Sequence, residues 1–136
     1  MKKRFAFLLA LFTAAALVLS CSGNTVNQPS GGYTNISPSQ LNAMMANKDF
    51  LLVNVHIPNY AEIADTDLFI PYNKIPENIS LLPDKQSKIV VYCQSGPMST
   101  TAAGILAGRG YTNVYNLSGG MDAWKAAGYT LLQKPH

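Results

Sequence analysis

The sequence is poor in residues that bind metals or form disulfides. It contains two cysteines, Cys21 and Cys93, and two histidines, His56 and His136. So few scattered ligands cannot complete a metal site, and we expect no metal. We also expect no cofactor, because Trp124 and the tyrosines are better placed in the core and at its rim than around a bound organic group.

Charged residues are scarce as well, at 12% of the chain. Three of the ten Lys and Arg residues are Lys2, Lys3 and Arg4, so seven remain against seven Asp and Glu in the rest of the chain. The formal net charge of +3 therefore belongs to the first few residues. A neutral remainder without a basic cluster excludes the electrostatic footprint of a nucleic-acid-binding protein, so we expect no nucleic-acid partner.

The chain also lacks an apolar run long enough to span a bilayer comfortably. Its longest run, residues 5–19, would measure about 22 Å as a helix, against about 30 Å for a bilayer core. The run follows the basic residues and precedes Ser20, Cys21 and Ser22, which is the layout of a secretory signal. We therefore expect an exported protein with a leader over residues 1–21.

The end of this leader carries a second signal. Val18-Leu19-Ser20-Cys21 resembles the lipobox of bacterial lipoproteins, in which the cysteine is diacylated and becomes the new N-terminus. The resemblance implies a lipid anchor at Cys21 in the cell envelope, on the extracytoplasmic side of a bacterial membrane; a plain signal cleaved near Ser20 or Ser22 is the alternative. Either way the mature chain keeps one free thiol, Cys93, without a disulfide partner.

Beyond the leader, residues 22–32 are polar and rich in Ser, Gly and Asn, which predicts a flexible tether before a single domain over residues 33–136. In that domain apolar runs predict strands over 50–55, 88–92 and 113–117. Caps and apolar stripes predict helices that begin near Ser37-Pro38-Ser39-Gln40 and over 99–109 and 121–127. Segment 57–87 stays unassigned apart from a weak helix at 79–82. Alternating strands and helices favour an α/β fold with a mainly parallel sheet.

The chemistry is expected in the loop after the second of these strands. Cys93 stands where the carboxyl end of a strand meets the start of a helix, which is where ligands bind in open parallel sheets. In Cys93-Gln94-Ser95-Gly96-Pro97-Met98-Ser99, Gly96 permits a curl that turns successive N–H groups toward one point. Such a cradle and the helix dipole favour a bound anion and a reactive thiolate. A buried structural cysteine is the alternative.

Three segments carry a more specific resemblance: Val90-Val91-Tyr92-Cys93-Gln94-Ser95-Gly96, the stretch from Gly110 to Leu117, and Gly119-Gly120-Met121-Asp122-Ala123-Trp124. Together they resemble the second half of a rhodanese-like domain. The resemblance implies a single domain with a mainly parallel five-stranded sheet flanked by helices, Cys93 as the nucleophile, and a substrate-binding loop formed by Gln94, Ser95, Gly96, Pro97, Met98 and Ser99.

Three positions depart from the family pattern, and they concern the substrate rather than the nucleophile or the fold. Asn54 and His56 stand where an Asp and an Arg are usual, and Met98 stands where the loop usually has an Arg. We expect His56 to be a hydrogen-bonded histidine at a strand end, and we do not count it among the catalytic residues.

Three functions compete. In a sulfurtransferase, Cys93 would take sulfur as a persulfide from a sulfane donor, either thiosulfate or a low-molecular-weight or protein persulfide, and pass it to a thiophilic acceptor such as a thiol or cyanide. A cysteine phosphatase or arsenate reductase would need an Arg near Met98 and Ser99, so it is strongly disfavoured. A persulfide-sensing or sulfur-delivery module at the membrane that has lost turnover stays open.

Overall fold

The computed structural model describes residues 29–135, which contain eight strands, three α-helices and two 3-10 segments. The strands are β1 (Pro29–Ser30), β2 (Tyr33–Ile36), β3 (Leu51–Asn54), β4 (Ala61–Glu62), β5 (Leu68–Phe69), β6 (Ile89–Tyr92), β7 (Val114–Leu117) and β8 (Leu132–Gln133). The helices are α1 (Pro38–Met45), α2 (Pro97–Gly108) and α3 (Gly120–Ala126), with 3-10 segments at Tyr72–Lys74 and Pro76–Leu81. The predicted leader with Cys21, and the tether up to residue 28, lie outside the described residues.

Six strands form one sheet in the order β1-β2-β7-β6-β3-β5. All neighbours except β1 and β2 run parallel, so the predicted five-stranded parallel sheet is confirmed, with β1 added antiparallel at one edge. That extra strand comes from residues that we assigned to the tether. A separate antiparallel pair, β4 with β8, lies outside this sheet and was not predicted.

The neighbouring strands β3 and β6 are buried on both faces, which explains why their sequences are almost wholly apolar rather than alternating. On one face Val53 and Val91 pack with residues of α2. On the other face Leu52, Val90 and Tyr92 pack with residues of α1 and α3. Burying each side chain of this size contributes about 1.5–3 kcal/mol. The core therefore holds the carboxyl ends of β3 and β6 side by side.

Local signals set the helix starts. Ser37 caps α1 with a capping box, because its hydroxyl accepts the N–H of Gln40 and its own N–H donates to the Gln40 side chain. Helix α2 begins at Pro97, two residues before the predicted start, since proline is well suited to the first helical position. After α2, Gly110 takes a φ of +90° and reverses the chain.

The carboxyl ends of the parallel strands meet at one edge of the sheet, and three chain segments follow them there. Cys93 follows β6, His56 lies two residues beyond the end of β3, and the turn at Gly119 lies two residues beyond β7. This edge is the one at which ligands bind in parallel sheets.

None of the helices within residues 29–135 has the length and apolar character that a membrane span requires.

Candidate active site

Cys93 lies at the bottom of the loop that joins β6 to α2. Its side chain is buried, with 1% of the residue exposed, and it packs against Val55, Val91 and other residues of the α2 face. The Gly96 N–H donates a hydrogen bond to the Cys93 Sγ at 3.1 Å, and the sulfur also lies 3.4 Å from the Ser99 Oγ. The sulfur is therefore held by polar groups of its own loop and does not simply fill a gap in the core.

The conformation of Gly96 makes these contacts possible. Gly96 is the N-cap of α2 and has a φ of +122°, a backbone angle that side chains disfavour. Its carbonyl oxygen accepts the Thr100 N–H at 2.9 Å and the Ser99 hydroxyl at 3.1 Å. The residue thus donates to the sulfur on one side and closes the first turn of the helix on the other.

The rest of the loop offers N–H donors that the protein itself does not use. Among residues 29–135, the backbone N–H groups of Gln94, Ser95, Met98 and Ser99 donate to no protein acceptor. Pro97 has no N–H group to offer. Free N–H groups at the start of a twelve-residue helix favour a bound anion, because the helix dipole places partial positive charge at this end.

The structure brings the six predicted substrate-binding residues together in one loop around Cys93. Ser95 and Pro97 are exposed, whereas Ser99 is fully buried behind the sulfur. Met98 is half-buried and packs against the cluster that contains Val55 and Cys93. Its apolar side chain therefore forms part of the wall beside the sulfur and contributes no charge there.

A second segment supports this loop from α3. The Met121 N–H donates to the Cys93 carbonyl at 2.9 Å, and the Asp122 N–H donates to the Gln94 carbonyl at 2.9 Å. The Gln94 side chain in turn donates to the Asp122 carboxylate at 3.2 Å. This contact was not predicted from the sequence; the adjacent glycines Gly119 and Gly120 were the available signal that two backbones come close there.

The end of β3 forms the neighbouring rim. Asn54 is completely buried, and its amide donates to Asn59 Oδ1 at 3.2 Å and to the Ala61 carbonyl at 3.0 Å. Its oxygen accepts the His56 N–H at 3.0 Å. All three hydrogen bonds join Asn54 to the segment that follows β3, so the Asn54 side chain holds that segment in place.

His56 differs from our expectation of a hydrogen-bonded histidine. The imidazole stands edge-on to the Tyr60 ring, 5.4 Å between centroids, but neither ring nitrogen is hydrogen-bonded to another described residue. Burial lowers the pKa of His56 below its ordinary 6.5, and the negative charge of Asp122 partly opposes this. The imidazole is therefore neutral at pH 7.

Tyr92, directly before Cys93, points to the opposite face of the sheet. Its hydroxyl accepts the Ile63 N–H at 3.0 Å and lies 2.8 Å from the Thr66 hydroxyl, while burial raises the pKa of the phenol to about 12. These bonds tie β6 to the segment between β4 and β5. They fix Tyr92, the residue before the nucleophile candidate, while the Cys93 side chain faces α2.

Comparisons with known proteins agree with this geometry. A family model described as Rhodanese-like domain matches residues 37–127. A sulfurtransferase of Allochromatium vinosum is 38% identical over 89 residues, which cover 62% of this chain and 80% of that protein. The thiosulfate sulfurtransferase GlpE of Coxiella burnetii is 31% identical over 97 residues, which cover 69% of this chain and 89% of that protein. A crystal structure of a rhodanese-related protein from Thermoplasma volcanium has the same fold, with a TM-score of 0.64 and 23% identity over 74% of this chain and 98% of that one.

Proposed function

This chain belongs to the rhodanese-like family, and from that premise we propose that it transfers sulfane sulfur by way of a persulfide on Cys93. Sulfurtransferase relatives support sulfur transfer in general. The single observation that supports Cys93 as the carrier is the Gly96 N–H at 3.1 Å from its sulfur, inside a loop of unused N–H donors. A sulfur atom in that position is solvated by the protein when it becomes negatively charged.

In the first half-reaction the Cys93 thiolate attacks the outer sulfur of the donor. With thiosulfate as donor, a new S–S bond forms to Cys93, the S–S bond of thiosulfate breaks, and sulfite leaves with the electron pair. The outer sulfur of the persulfide then carries the negative charge, and the unused N–H groups of Ser95, Met98 and Ser99 are the donors of this loop that could stabilise it. A hydrogen bond to a charged group is worth about 1.5–3 kcal/mol, so several of them stabilise the persulfide anion substantially.

Ser99 adapts the loop to the charge of the sulfur. In the neutral thiol form the Cys93 S–H points to the Ser99 Oγ, and the Ser99 hydroxyl donates to the Gly96 carbonyl. When Cys93 is a thiolate, the same hydroxyl can rotate and donate to the sulfur, because hydroxyl hydrogens turn freely. Ser99 therefore serves both states of the nucleophile without movement of the backbone.

In the second half-reaction a nucleophilic acceptor attacks the outer sulfur of the persulfide, and Cys93 leaves as a thiolate. The wall of the site near Met98 is apolar and uncharged, which suits a low-molecular-weight or protein persulfide donor better than the dianionic thiosulfate. We place thiosulfate among the poor donors for this reason.

The test compares turnover of wild type and Cys93→Ser with thiosulfate and with an alkyl persulfide. The serine hydroxyl has nearly the same shape as the thiol but cannot form a sulfane bond, so turnover must vanish while the fold survives. Turnover by Cys93→Ser contradicts the assignment of the nucleophile. A wild-type protein that accepts one sulfur but does not turn over with either donor indicates the alternative, a persulfide-sensing or sulfur-delivery module.

The place of this reaction is a further part of the proposal. The leader over residues 1–21 ends in a lipobox-like sequence, and the polar tether from residue 22 separates it from the folded domain. We place the domain on the extracytoplasmic side of a bacterial membrane, anchored through a lipid on Cys21. The sulfur donors and acceptors would then be those of the cell envelope.

A further inference from the structure

His56 and Gln94 follow the carboxyl ends of the neighbouring strands β3 and β6, and Asp122 lies in the first turn of α3. Strands β3 and β6 run in parallel register up to the pair Asn54 and Tyr92, and the Val55 N–H donates to the Tyr92 carbonyl at 2.9 Å. Continuing this register brings His56 level with Gln94, the residue after Cys93. Asp122 accepts a hydrogen bond from the side chain of Gln94 and acts electrostatically on His56, so the three residues belong to the same edge of the sheet.

The imidazole of His56 has the properties of a base that is ready to accept a proton. His56 is buried, with 9% of the residue still exposed. No described residue is hydrogen-bonded to its ring nitrogens, and the ring is fixed by the Tyr60 side chain at its edge. Because burial keeps the ring neutral at pH 7, one nitrogen carries a free lone pair.

Asp122 supplies the complementary charge. Among the described residues it is the one charged group that acts on His56, and it does so from α3; Tyr60 faces the ring from the loop after β3, and Cys93 is the titratable group at the end of the adjoining strand β6. A carboxylate beside an imidazole stabilises the imidazolium that forms when a proton arrives. The charges of the two residues are therefore opposite, and attract each other, only after His56 has taken up a proton.

We propose that His56 is the general base of the second half-reaction, with Asp122 as the residue that stabilises its charge after proton uptake, and that the acceptor is consequently a protonated thiol. The inference rests on the proposed persulfide on Cys93. The acceptor RSH gives its proton to His56, and the resulting RS⁻ attacks the outer sulfur of the Cys93 persulfide. The S–S bond to Cys93 breaks, its electron pair returns to the Cys93 thiolate, and the product leaves as RSS⁻ while His56 releases its proton to water.

The chemistry of the acceptor explains why a base is useful here. An ordinary thiol has a pKa of about 8.5, so at pH 7 only a few per cent of it is the nucleophilic thiolate. A base at the rim makes the whole thiol population reactive, and general-base assistance typically contributes about 10²–10⁴-fold. Sulfite already has a free electron pair at neutral pH and gains nothing from a base. The proposal therefore predicts that the base accelerates sulfur transfer to thiols and does not accelerate transfer to sulfite.

The experiment follows single turnovers of protein that has been loaded with one sulfur on Cys93. Loaded wild type and loaded His56→Gln are each mixed with 2-mercaptoethanol or with sulfite, and loss of the added sulfur is timed by quenched intact-mass measurement between pH 5.5 and 9. We expect His56→Gln to slow transfer to the thiol about 10- to 100-fold at pH 7, because only the few per cent of thiol that is already thiolate would then react, and to leave transfer to sulfite within about twofold.

The pH dependence provides a readout that a purely structural role of His56 would not change. For wild type the rate constant with thiol should be level between the pKa of His56 and that of the thiol; for His56→Gln it should rise about tenfold per pH unit, in step with the thiolate fraction. Asp122→Asn should move the acid limb of wild type to lower pH, since the carboxylate that raises the His56 pKa is gone.

The outcomes separate this inference from the proposed function. Equal losses with thiol and sulfite, or an unchanged rate with thiol, overturn the role of His56 while the persulfide on Cys93 stands. A wild-type protein that takes up no sulfur from any donor overturns the proposed function and the role of His56 together.

Discussion

Gly120 lies directly against the main-chain carbonyl of Cys93, and no side chain fits between them. A Cβ atom at position 120 would collide with the Cys93 carbonyl oxygen and would lie 2.6 Å from the carbonyl carbon of Gln94. Gly120 also has a φ of +59°, which other residues disfavour. The turn before α3 can therefore approach the nucleophile loop only because this residue has no side chain.

Gly120→Ala should push this turn away from the Cys93 loop. The overlap with backbone atoms cannot be relieved by a side-chain rotation, so we expect a loss of about 1–3 kcal/mol in the free energy of unfolding together with slower sulfur loading on Cys93. The matched control is Gly128→Ala, which has a positive φ of +93° but open space around its Cβ position. Denaturant titration and loading rates on both variants separate the collision from backbone strain; equal effects would show that the contact with Cys93 is unimportant.

Met98→Arg should change the choice of donor. An Arg at this position would add a charge-assisted hydrogen bond to an anionic donor, worth about 1.5–3 kcal/mol, or roughly 10- to 100-fold in kcat/KM. We expect the gain with thiosulfate to exceed that with an alkyl persulfide. Met98→Gln is the control, because it keeps the length of the side chain without the charge. Equal changes with both donors at an unchanged melting temperature would refute a role for charge at position 98.

Acid should weaken the fold through His56. Its pKa in the folded protein lies below the ordinary 6.5, so the unfolded chain takes up this proton first as the pH falls. The free energy of unfolding should therefore be independent of this group above about pH 6.5 and should decrease below it, until the pH reaches the folded pKa. Urea titrations of wild type and His56→Gln across this range test it, and we expect a smaller decrease in the variant. Parallel decreases in both proteins would exclude His56 as the cause.

Those parts of the fold that depend on local patterns were predictable from the sequence. The fully apolar run that became β6 and the Ser37 cap of α1 are examples, because burial on two faces and side-chain capping leave a direct mark on the residues. Cys93 and its loop could be located for the same reason: Gly96 and Pro97 signal the turn and the start of α2.

The contacts between distant segments could not be predicted in this way. Nothing near Asp122 in the sequence indicates that its carboxylate is hydrogen-bonded to Gln94, 28 positions away, or that it acts on His56. The pair β4 and β8 likewise joins two segments of two residues each, too short to leave an alternating pattern. Such features arise from packing of the whole domain.

Cys21→Ala should release the protein from the membrane fraction. Lipidation requires this cysteine, and the remainder of the chain has as many acidic as basic residues, so it offers no electrostatic attachment of its own. Cys93→Ser is the control, because it removes the other cysteine and should stay with the membrane. Fractionation of cells that express each variant gives the answer; continued membrane association of Cys21→Ala would contradict the lipid anchor.

Intact-mass measurement of the purified protein after incubation with a sulfane donor tests the role of Cys93 most directly. We expect wild type to gain the mass of one sulfur atom, more completely with an alkyl persulfide than with thiosulfate, and to lose it again when a thiol is added. Peptide mapping should place the added sulfur on Cys93, and Cys93→Ser should gain none. No added mass with either donor, or the same added mass on Cys93→Ser, would contradict sulfur transfer through Cys93.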